Sequence, residues 1–212
     1  MLEAKFLKLQ RRVRALDSGF DRQIHTPFFQ RRVDRFSLQE GFVSAIWQTW
    51  CAFCRDLLIC STQGATTKNG QITQSPYSSL TMLEIAYLAK EFSHSRNPKK
   101  VKPLSGSHLE HTWGDISKIN IVANGLKCSN LQSILNAISL CNRITDLQLC
   151  RNASAHLSKD SLISVKKAKV RYSENKFEHP SDMIKWIDPS NNNFLWKSWI
   201  EEIEIAAEFA IQ

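Results

Sequence analysis

The sequence contains few residues that break regular structure, with 7 glycines and 6 prolines among 212 residues. Together these two residue types make up about half of their usual share of roughly 12%. A β-sandwich or β-barrel needs many tight turns, which depend on glycine and proline. The scarcity of both therefore favours an all-α fold. The 42% of hydrophobic residues indicates a chain that folds around a core.

Long apolar runs are also missing from the sequence. No stretch approaches the roughly 18 uninterrupted apolar residues that a membrane span requires. The N-terminal segment carries charges every few residues, so no secretory signal is visible, and disulfides among the 6 cysteines are not expected. We therefore expect a cytoplasmic protein with no membrane partner.

Common cofactor and metal motifs are absent as well. There is no Gly-x-x-x-x-Gly-Lys phosphate loop, no Gly-x-Gly-x-x-Gly sequence and no zinc-finger spacing. His108 and His111, with Glu110 between them, could bind a metal from one helix face, but no further ligands support such a site. Cys51 and Cys54 lie inside an apolar helical run, which favours packing in the core. We expect no metal and no cofactor.

Apolar residues recur at helical spacing along most of the chain. The strongest pattern runs from about 34 to 61, where Phe42, Ile46 and Trp50 begin a stripe with a period near 3.6 residues. Further helices are predicted over 1–16, 78–92, 106–126 and 130–149 and after 193, with a basic helical or extended segment over 158–171. We expect a single helical domain over 1–212, in which residues 1–33 form a basic helix and arm.

Basic residues outnumber acidic residues by 28 to 20, which gives a net charge of +8. They form clusters at 5–14, 31–35, 96–102 and 166–171. The cluster in the loop over 93–106, hereafter the basic loop, is the candidate nucleic-acid-binding segment and contains Arg96, Lys99, Lys100 and Lys102. Lysine and arginine bind polyphosphates because each neutralised phosphate releases counterions. The alternative for each cluster is a solvated surface without a partner.

One short segment carries the groups that RNA cleavage needs when no metal takes part. In the stretch Arg151-Asn152-x-x-x-His156, a helix would place Asn152 and His156 on nearly one face. A guanidinium binds two phosphate oxygens at once, and an imidazole takes up or returns a proton near neutral pH. The amide could orient either group. This spacing alone is not specific, and an asparagine often serves only as a helix cap.

The same stretch resembles the Arg-x(4–6)-His motif of the HEPN superfamily (higher eukaryotes and prokaryotes nucleotide-binding domains), including the polar residue after the arginine. The resemblance implies a HEPN-like helical bundle with additional peripheral helices. It also implies a metal-independent endoribonuclease of a toxin–antitoxin or antiviral defence system, working as a homodimer with a composite active site. By position, Arg151 would stabilise the phosphate, His156 would act as acid and base, and Asn152 would orient them. Ser158 stands where HEPN toxins commonly carry a tyrosine, so control through that tyrosine is not implied.

These features predict cleavage of RNA by attack of a 2′-hydroxyl, which leaves a 2′,3′-cyclic phosphate and a 5′-hydroxyl. An antitoxin or sensor protein is expected as a further partner. The first alternative is a non-catalytic HEPN module that binds nucleotide or RNA, or a partner subunit of a defence complex. The second is a helical DNA-binding regulator with a short helix–turn–helix in its basic N-terminal third. Glu40 and Arg55, which flank the long helix, would face a cleft if that helix borders the motif.

Overall fold

The structure is a computed structural model that describes residues 1–25 and 31–212. Its α-helices are α1 Leu2–His25, α2 Arg32–Thr62, α3 Met82–Ser93, α4 Ile116–Leu126, α5 Leu131–Ser139, α6 Ile144–Ala155, α7 Lys159–Ala168 and α8 Leu195–Ala210. Short 3₁₀ turns occupy Ser107–Leu109, Lys169–Arg171 and Pro180–Lys185, and the strands β1 Ile187–Asp188 and β2 Asn193–Phe194 pair antiparallel. This architecture confirms the all-α prediction. In the described ranges no helix is both long and apolar enough to cross a bilayer.

The chain forms two compact units, each assembled from separate stretches of sequence. The first unit contains Met1–Leu9, Trp50–Cys141 and Ile205–Gln212, and the second contains Gln10–Thr49 and Asn142–Glu204. The helices α1, α2 and α8 contribute residues to both units. A single domain over 1–212 stays a prediction, and residues 26–30 of the predicted N-terminal arm lie outside the described residues.

In the first unit, α3 and α4 begin later than the sequence predicts, at residues 82 and 116 rather than 78 and 106. Thr81 and Glu84 form a capping box, in which the Glu84 carboxylate accepts from the Thr81 N–H at 2.9 Å. The Asp115 carboxylate accepts from the N–H of Ser117 at 3.1 Å. These side chains satisfy N–H groups that lack partners within the helix. Each helix therefore begins at its cap rather than at the first apolar residue of the pattern.

The second unit contains an aromatic cluster that lengthens α1. Phe20 is fully buried, and its ring stacks on Trp196 at a centroid distance of 5.1 Å. Phe42 meets Trp196 edge-on at 5.6 Å. The indole N–H of Trp196 donates to the Asp17 carboxylate at 2.9 Å. Because these contacts bury residues beyond position 16, α1 extends to residue 25 and the predicted end at 16 is wrong.

The predicted helix over 130–149 is also wrong, because two helices occupy that range. Helix α5 ends at residue 139 and α6 begins at residue 144. The Glu202 carboxylate from α8 accepts from the backbone N–H of Arg143 at 2.7 Å and of Ile144 at 2.8 Å. A carboxylate at this position satisfies free N–H groups and interacts favourably with the helix dipole. The new start depends on a residue almost 60 positions away, so no local signal announces it.

The side chain of Arg143 anchors the same end of α6. Its Nε and Nη2 atoms donate to the two carboxylate oxygens of Asp188 at 2.7 and 3.2 Å. Asp188 is only 1% exposed. Burial alone would raise the pKa of Asp188, but hydrogen bonds from Arg143 and Ser190 outweigh burial and hold that pKa below its usual range. This half-buried ion pair and the Glu202 carboxylate together hold the start of α6.

We expect Arg143→Met to lower the free energy of unfolding at neutral pH by about 2–3 kcal/mol, because it leaves the Asp188 carboxylate buried without its partner. The pKa of Asp188 is lower in the folded chain than its value of 3.8 in the unfolded chain, so the ionised carboxylate stabilises the fold at pH values above 3.8. This stabilisation is lost progressively as the pH falls below 3.8. Urea denaturation at about pH 7 and pH 3 should therefore show a smaller difference between wild type and variant at the lower pH. Lys166→Met, which removes an exposed cation, is the control. An equal loss at both pH values would contradict this account.

Candidate active site

Helix α6 is buried over a wide arc, and the motif lies at its C-terminal end. Apolar residues recur at every third position, and each of the following is 0% exposed: Ile144, Leu147, Cys150 and Ala153. Arg151 and Asn152 lie outside this row and are half-buried. Arg151 follows the buried Ile144 by seven residues and so projects from nearly the same side of the helix, yet its long side chain remains partly accessible.

Arg151 is oriented by its neighbour in the sequence. Its Nη1 atom donates to the Asn152 Oδ1 atom at 3.1 Å. Within the described ranges, none of the ion pairs involves Arg151. The guanidinium therefore keeps donors that can bind phosphate oxygens.

His156 lies just beyond the end of α6 and its side chain is exposed. Its backbone N–H still donates to the Asn152 carbonyl at 2.9 Å, but its φ of −136° and ψ of 86° leave the helical region. The His156 carbonyl accepts from the Ser158 N–H at 2.6 Å and from the Ser161 hydroxyl at 2.8 Å. The turn into α7 thus fixes the backbone of His156. The expectation that Asn152 and His156 share one helix face does not hold, because the chain turns away at His156.

A cavity of about 210 Å³, hereafter the Arg151 cavity, lies between α2 and α6 within the second unit. Its lining consists of Glu40, Val43 and Ser44 from α2 and Arg151, Ser154 and Ala155 from α6. Glu40 therefore borders the motif, as the sequence allowed. Of the three predicted catalytic residues, only Arg151 belongs to this lining.

His179 adds an imidazole beside the Arg151 cavity that sequence analysis missed. Its Nε2 atom lies 3.2 Å from the Glu40 carboxylate, and its ring stacks on Phe36. Its Nδ1 atom lies 2.9 Å from the Ser181 hydroxyl. A serine, a histidine and a glutamate in this order resemble the groups of a nucleophilic site. However, the Ser181 hydroxyl donates to the Gln39 Oε1 atom at 3.2 Å, so its proton is not directed at His179 as that of an activated nucleophile would be.

Arg55 and the predicted metal ligands belong to a structural cluster in the first unit. The Arg55 guanidinium donates to both carboxylate oxygens of Glu110, at 2.7 and 2.9 Å. The Trp113 indole donates to the same carboxylate at 2.6 Å. His111 is 8% exposed and packs against Trp113 with ring centroids 4.2 Å apart. Among the described residues no group of three or more histidines, cysteines or acids could hold a metal ion. The alternative of a His108 and His111 metal site is therefore not supported, and Arg55 serves the Glu110 ion pair.

Of the three cysteines in α2, Cys54 is buried, whereas Cys51 and Cys60 are half-buried. Cys54 is 2% exposed, and burial raises the pKa of its thiol well above the ordinary value. Thiolate is the reactive form of cysteine, so a raised pKa disfavours redox and metal chemistry. The neighbouring Trp50 is equally buried and donates its indole N–H to the Gly114 carbonyl at 3.1 Å. Core packing thus explains Cys54 and Trp50, as predicted, whereas Cys51 is only half-buried.

The basic loop lies in the first unit, and its four predicted nucleic-acid-binding residues are exposed: Arg96, Lys99, Lys100 and Lys102. The Lys102 ammonium lies 5.7 Å from the Tyr87 ring centroid, within cation–π range. Both residues line a cavity of about 340 Å³ that also includes Lys90. An aromatic ring among cations is a common arrangement for binding single-stranded nucleic acid.

Comparison of the chain with known protein families, with curated proteins and with solved structures found no match. The HEPN resemblance therefore rests on the motif at 151–156 and on the helical architecture alone.

We expect His111→Phe to weaken the loss of stability that the wild type shows between about pH 6.5 and pH 4. Burial, and then Lys118, lower the pKa of His111 to about 4, whereas the unfolded value is 6.5. As the pH decreases through this range, the unfolded chain takes up a proton that the folded chain does not. The free energy of unfolding therefore decreases by roughly 3 kcal/mol between the two pH values. Urea denaturation across this range measures the slope, with the exposed His108→Phe as the control. A variant with the wild-type slope would refute the prediction.

Proposed function

We propose that this chain is a metal-independent endoribonuclease of the HEPN type. One observation carries the proposal: the Arg151 guanidinium is held by Asn152 at a cavity, takes part in no ion pair among the described residues, and is followed by the exposed imidazole of His156. A buried His156 or an Arg151 locked in a salt bridge would have been incompatible with catalysis. Neither is present in the part of the chain that the structure describes.

The proposed reaction is an internal transesterification of RNA. The His156 imidazole takes the proton of a ribose 2′-hydroxyl, and the 2′-oxygen attacks the adjacent phosphorus. The bond from phosphorus to the 5′-oxygen breaks, and that oxygen takes up a proton from an imidazolium. The products are a 2′,3′-cyclic phosphate and a 5′-hydroxyl. Arg151 stabilises the charge that develops on the phosphate oxygens, and Asn152 holds the guanidinium in place.

A homodimer fits the exposure of these side chains. His156 is exposed and does not line the Arg151 cavity, so one copy surrounds the reacting phosphate incompletely. The HEPN resemblance implies that motifs from two copies form one site. A second copy would supply another wall and another imidazole, which serves the two proton transfers. We therefore include a composite active site in the proposal, with an antitoxin or sensor protein as a further partner of such a toxin.

The basic loop is the proposed binding region for the remainder of the RNA. Its exposed cations can neutralise phosphates, and Tyr87 offers an aromatic face near Lys102. Phosphate contacts of this kind position an RNA without reading its sequence.

We expect wild-type protein to cleave RNA in the presence of EDTA, and His156→Ala to be slower by about 10²–10⁴-fold because the general base is lost. Gel analysis of a labelled single-stranded RNA measures the rate. His108→Ala, which removes another exposed histidine, should retain the wild-type rate. Equal cleavage by wild type and His156→Ala would refute the proposal, and so would a strict requirement for Mg²⁺.

We expect the double substitution Lys99→Gln and Lys100→Gln to weaken RNA binding. It should also make the fall of log affinity with log salt concentration less steep, by roughly 1–2 in slope, because two phosphate contacts are lost. Fluorescence anisotropy at several salt concentrations measures both quantities. The matched control is Lys8→Gln with Lys127→Gln, which removes two exposed lysines of the first unit outside the basic loop. If the control lowers the slope equally, the loop has no special role.

A non-catalytic HEPN module that binds nucleotide or RNA is the second candidate. It is favoured by the placement of His156 outside the lining of the Arg151 cavity, which suits phosphate binding without cleavage. Expression in a bacterial host separates the two, since an active toxin arrests growth and His156→Ala abolishes the arrest. A binding module leaves growth unchanged in both cases. The DNA-binding alternative needs a short helix–turn–helix, whereas α1 and α2 span 24 and 31 residues and 26–30 lie outside the described residues.

A further inference from the structure

A second cavity in the second unit, hereafter the Gln39 cavity, has a volume of about 280 Å³. It is lined on one side by Arg35 and Gln39 of α2, and on the other by side chains between 174 and 186, including Asp182 and Lys185. None of these residues lines the Arg151 cavity. The proposed ribonuclease activity leaves this cavity without a role.

Gln39 has a hydrogen-bonding group that the fold leaves unused. The residue is 0% exposed, and its Oε1 atom accepts from the Ser181 hydroxyl at 3.2 Å. Its Nε2 atom is buried and has no hydrogen-bond partner among the described residues. A buried donor without an acceptor destabilises a protein, and such groups are rare unless a ligand or water satisfies them. Gln39 therefore offers a donor to an occupant of the cavity.

Arg35 offers a second donor to the same space. Its Nη2 atom donates to the Glu178 carboxylate at 3.0 Å, and its guanidinium lies 4.8 Å from the Phe36 ring centroid. These two contacts hold the side chain in one orientation. Its Nε atom is buried and lacks a partner among the described residues. A fixed guanidinium with an unused N–H group is suited to binding an oxyanion.

Two of the three acidic side chains in the lining have partners, and the third, Glu174, is exposed to solvent. Asp182 accepts from the backbone N–H groups of Glu178 and His179, both at 2.8 Å. Glu178 faces the guanidinium groups of Arg35 and Arg32, at 3.0 and 3.4 Å. The hydrogen-bonding groups that Gln39 and Arg35 leave unused at this cavity are thus N–H donors. An anionic ligand with acceptor oxygens would satisfy them.

Lys185 strengthens the preference for an anion. It is half-buried in the wall of this cavity. Burial lowers the pKa of its ammonium and the positive charge of Arg35 lowers it further, and the negative charge of Asp182 offsets these two effects only in part. An anion placed between Lys185 and Arg35 would offset both effects.

We propose that the Gln39 cavity binds a small ligand through a phosphate group, with Gln39, Arg35 and Lys185 contacting the phosphate oxygens. The volume lies just below the usual range for ligand pockets, about 300–1,000 Å³. It exceeds the space of a bare phosphate and fits a phosphate monoester of about mononucleotide size. The site is independent of the proposed cleavage chemistry.

Isothermal titration calorimetry of the whole protein with three compounds tests the proposal: inorganic phosphate, adenosine monophosphate and uncharged adenosine. We expect adenosine monophosphate to bind with a Kd below about 1 mM, and adenosine to show no binding. Binding of inorganic phosphate at the same site would show that phosphate alone suffices, and its absence would show that the ester group contributes; both outcomes support a phosphate-ester site. If adenosine monophosphate does not bind, or if adenosine binds equally well, the proposal is overturned.

Two variants assign the binding to this cavity. Gln39→Leu keeps the side-chain volume and removes the unused buried donor, so the variant should fold and should bind adenosine monophosphate about tenfold more weakly. Lys185→Met should weaken binding to a similar degree, and it tests the site independently should Gln39→Leu fail to fold. Lys166→Met, which removes an exposed lysine of the same unit, should bind like wild type. Wild-type affinity in folded Gln39→Leu and Lys185→Met would overturn the assignment.

Discussion

The half-buried ion pair between Arg143 and Asp188 holds the start of α6, and the rest of the candidate site depends on that position. Asp188 holds the guanidinium, while Glu202 accepts from the first backbone N–H groups of the helix. Because an α-helix rises 1.5 Å per residue, this anchor sets Arg151 about 12 Å further along the axis. A shift of one residue would rotate Arg151 by roughly 100° and remove it from its cavity.

The burial pattern of α6 explains why the motif can serve chemistry. Arg151 projects from nearly the same side of the helix as the buried Ile144, and its Nη1 atom reaches round to the Asn152 Oδ1 atom. The chain then leaves the helix at His156, which exposes the imidazole. In the proposed reaction, Arg151 donates to the phosphate and His156 is the acid–base group. Exclusion of water strengthens the electrostatic interactions at such a site and requires a second surface to cover it. In the proposed homodimer, the second copy of the chain provides that surface.

Periodicity in the sequence predicted the elements whose stability comes from an apolar face. The predicted helices over 34–61 and after 193 are confirmed as α2 and α8. The late start of α3 follows a local signal, since Thr81 and Glu84 have the spacing of a capping box. The break before α6 could not be predicted, because Glu202 and Asp188 are distant in sequence. The pairing of Glu40 with His179 is equally non-local, so no motif revealed it.

The central claim is that Arg151 and His156 act on a phosphate attacked by the neighbouring 2′-hydroxyl. Analysis of the ends of RNA fragments produced by the wild-type protein in EDTA tests this claim most directly. The account predicts 2′,3′-cyclic phosphates upstream and 5′-hydroxyls downstream of each cut, and no cleavage where the 2′-hydroxyl is replaced by hydrogen. Fragments that end in 3′-hydroxyl and 5′-phosphate groups would contradict it, because they require attack by water.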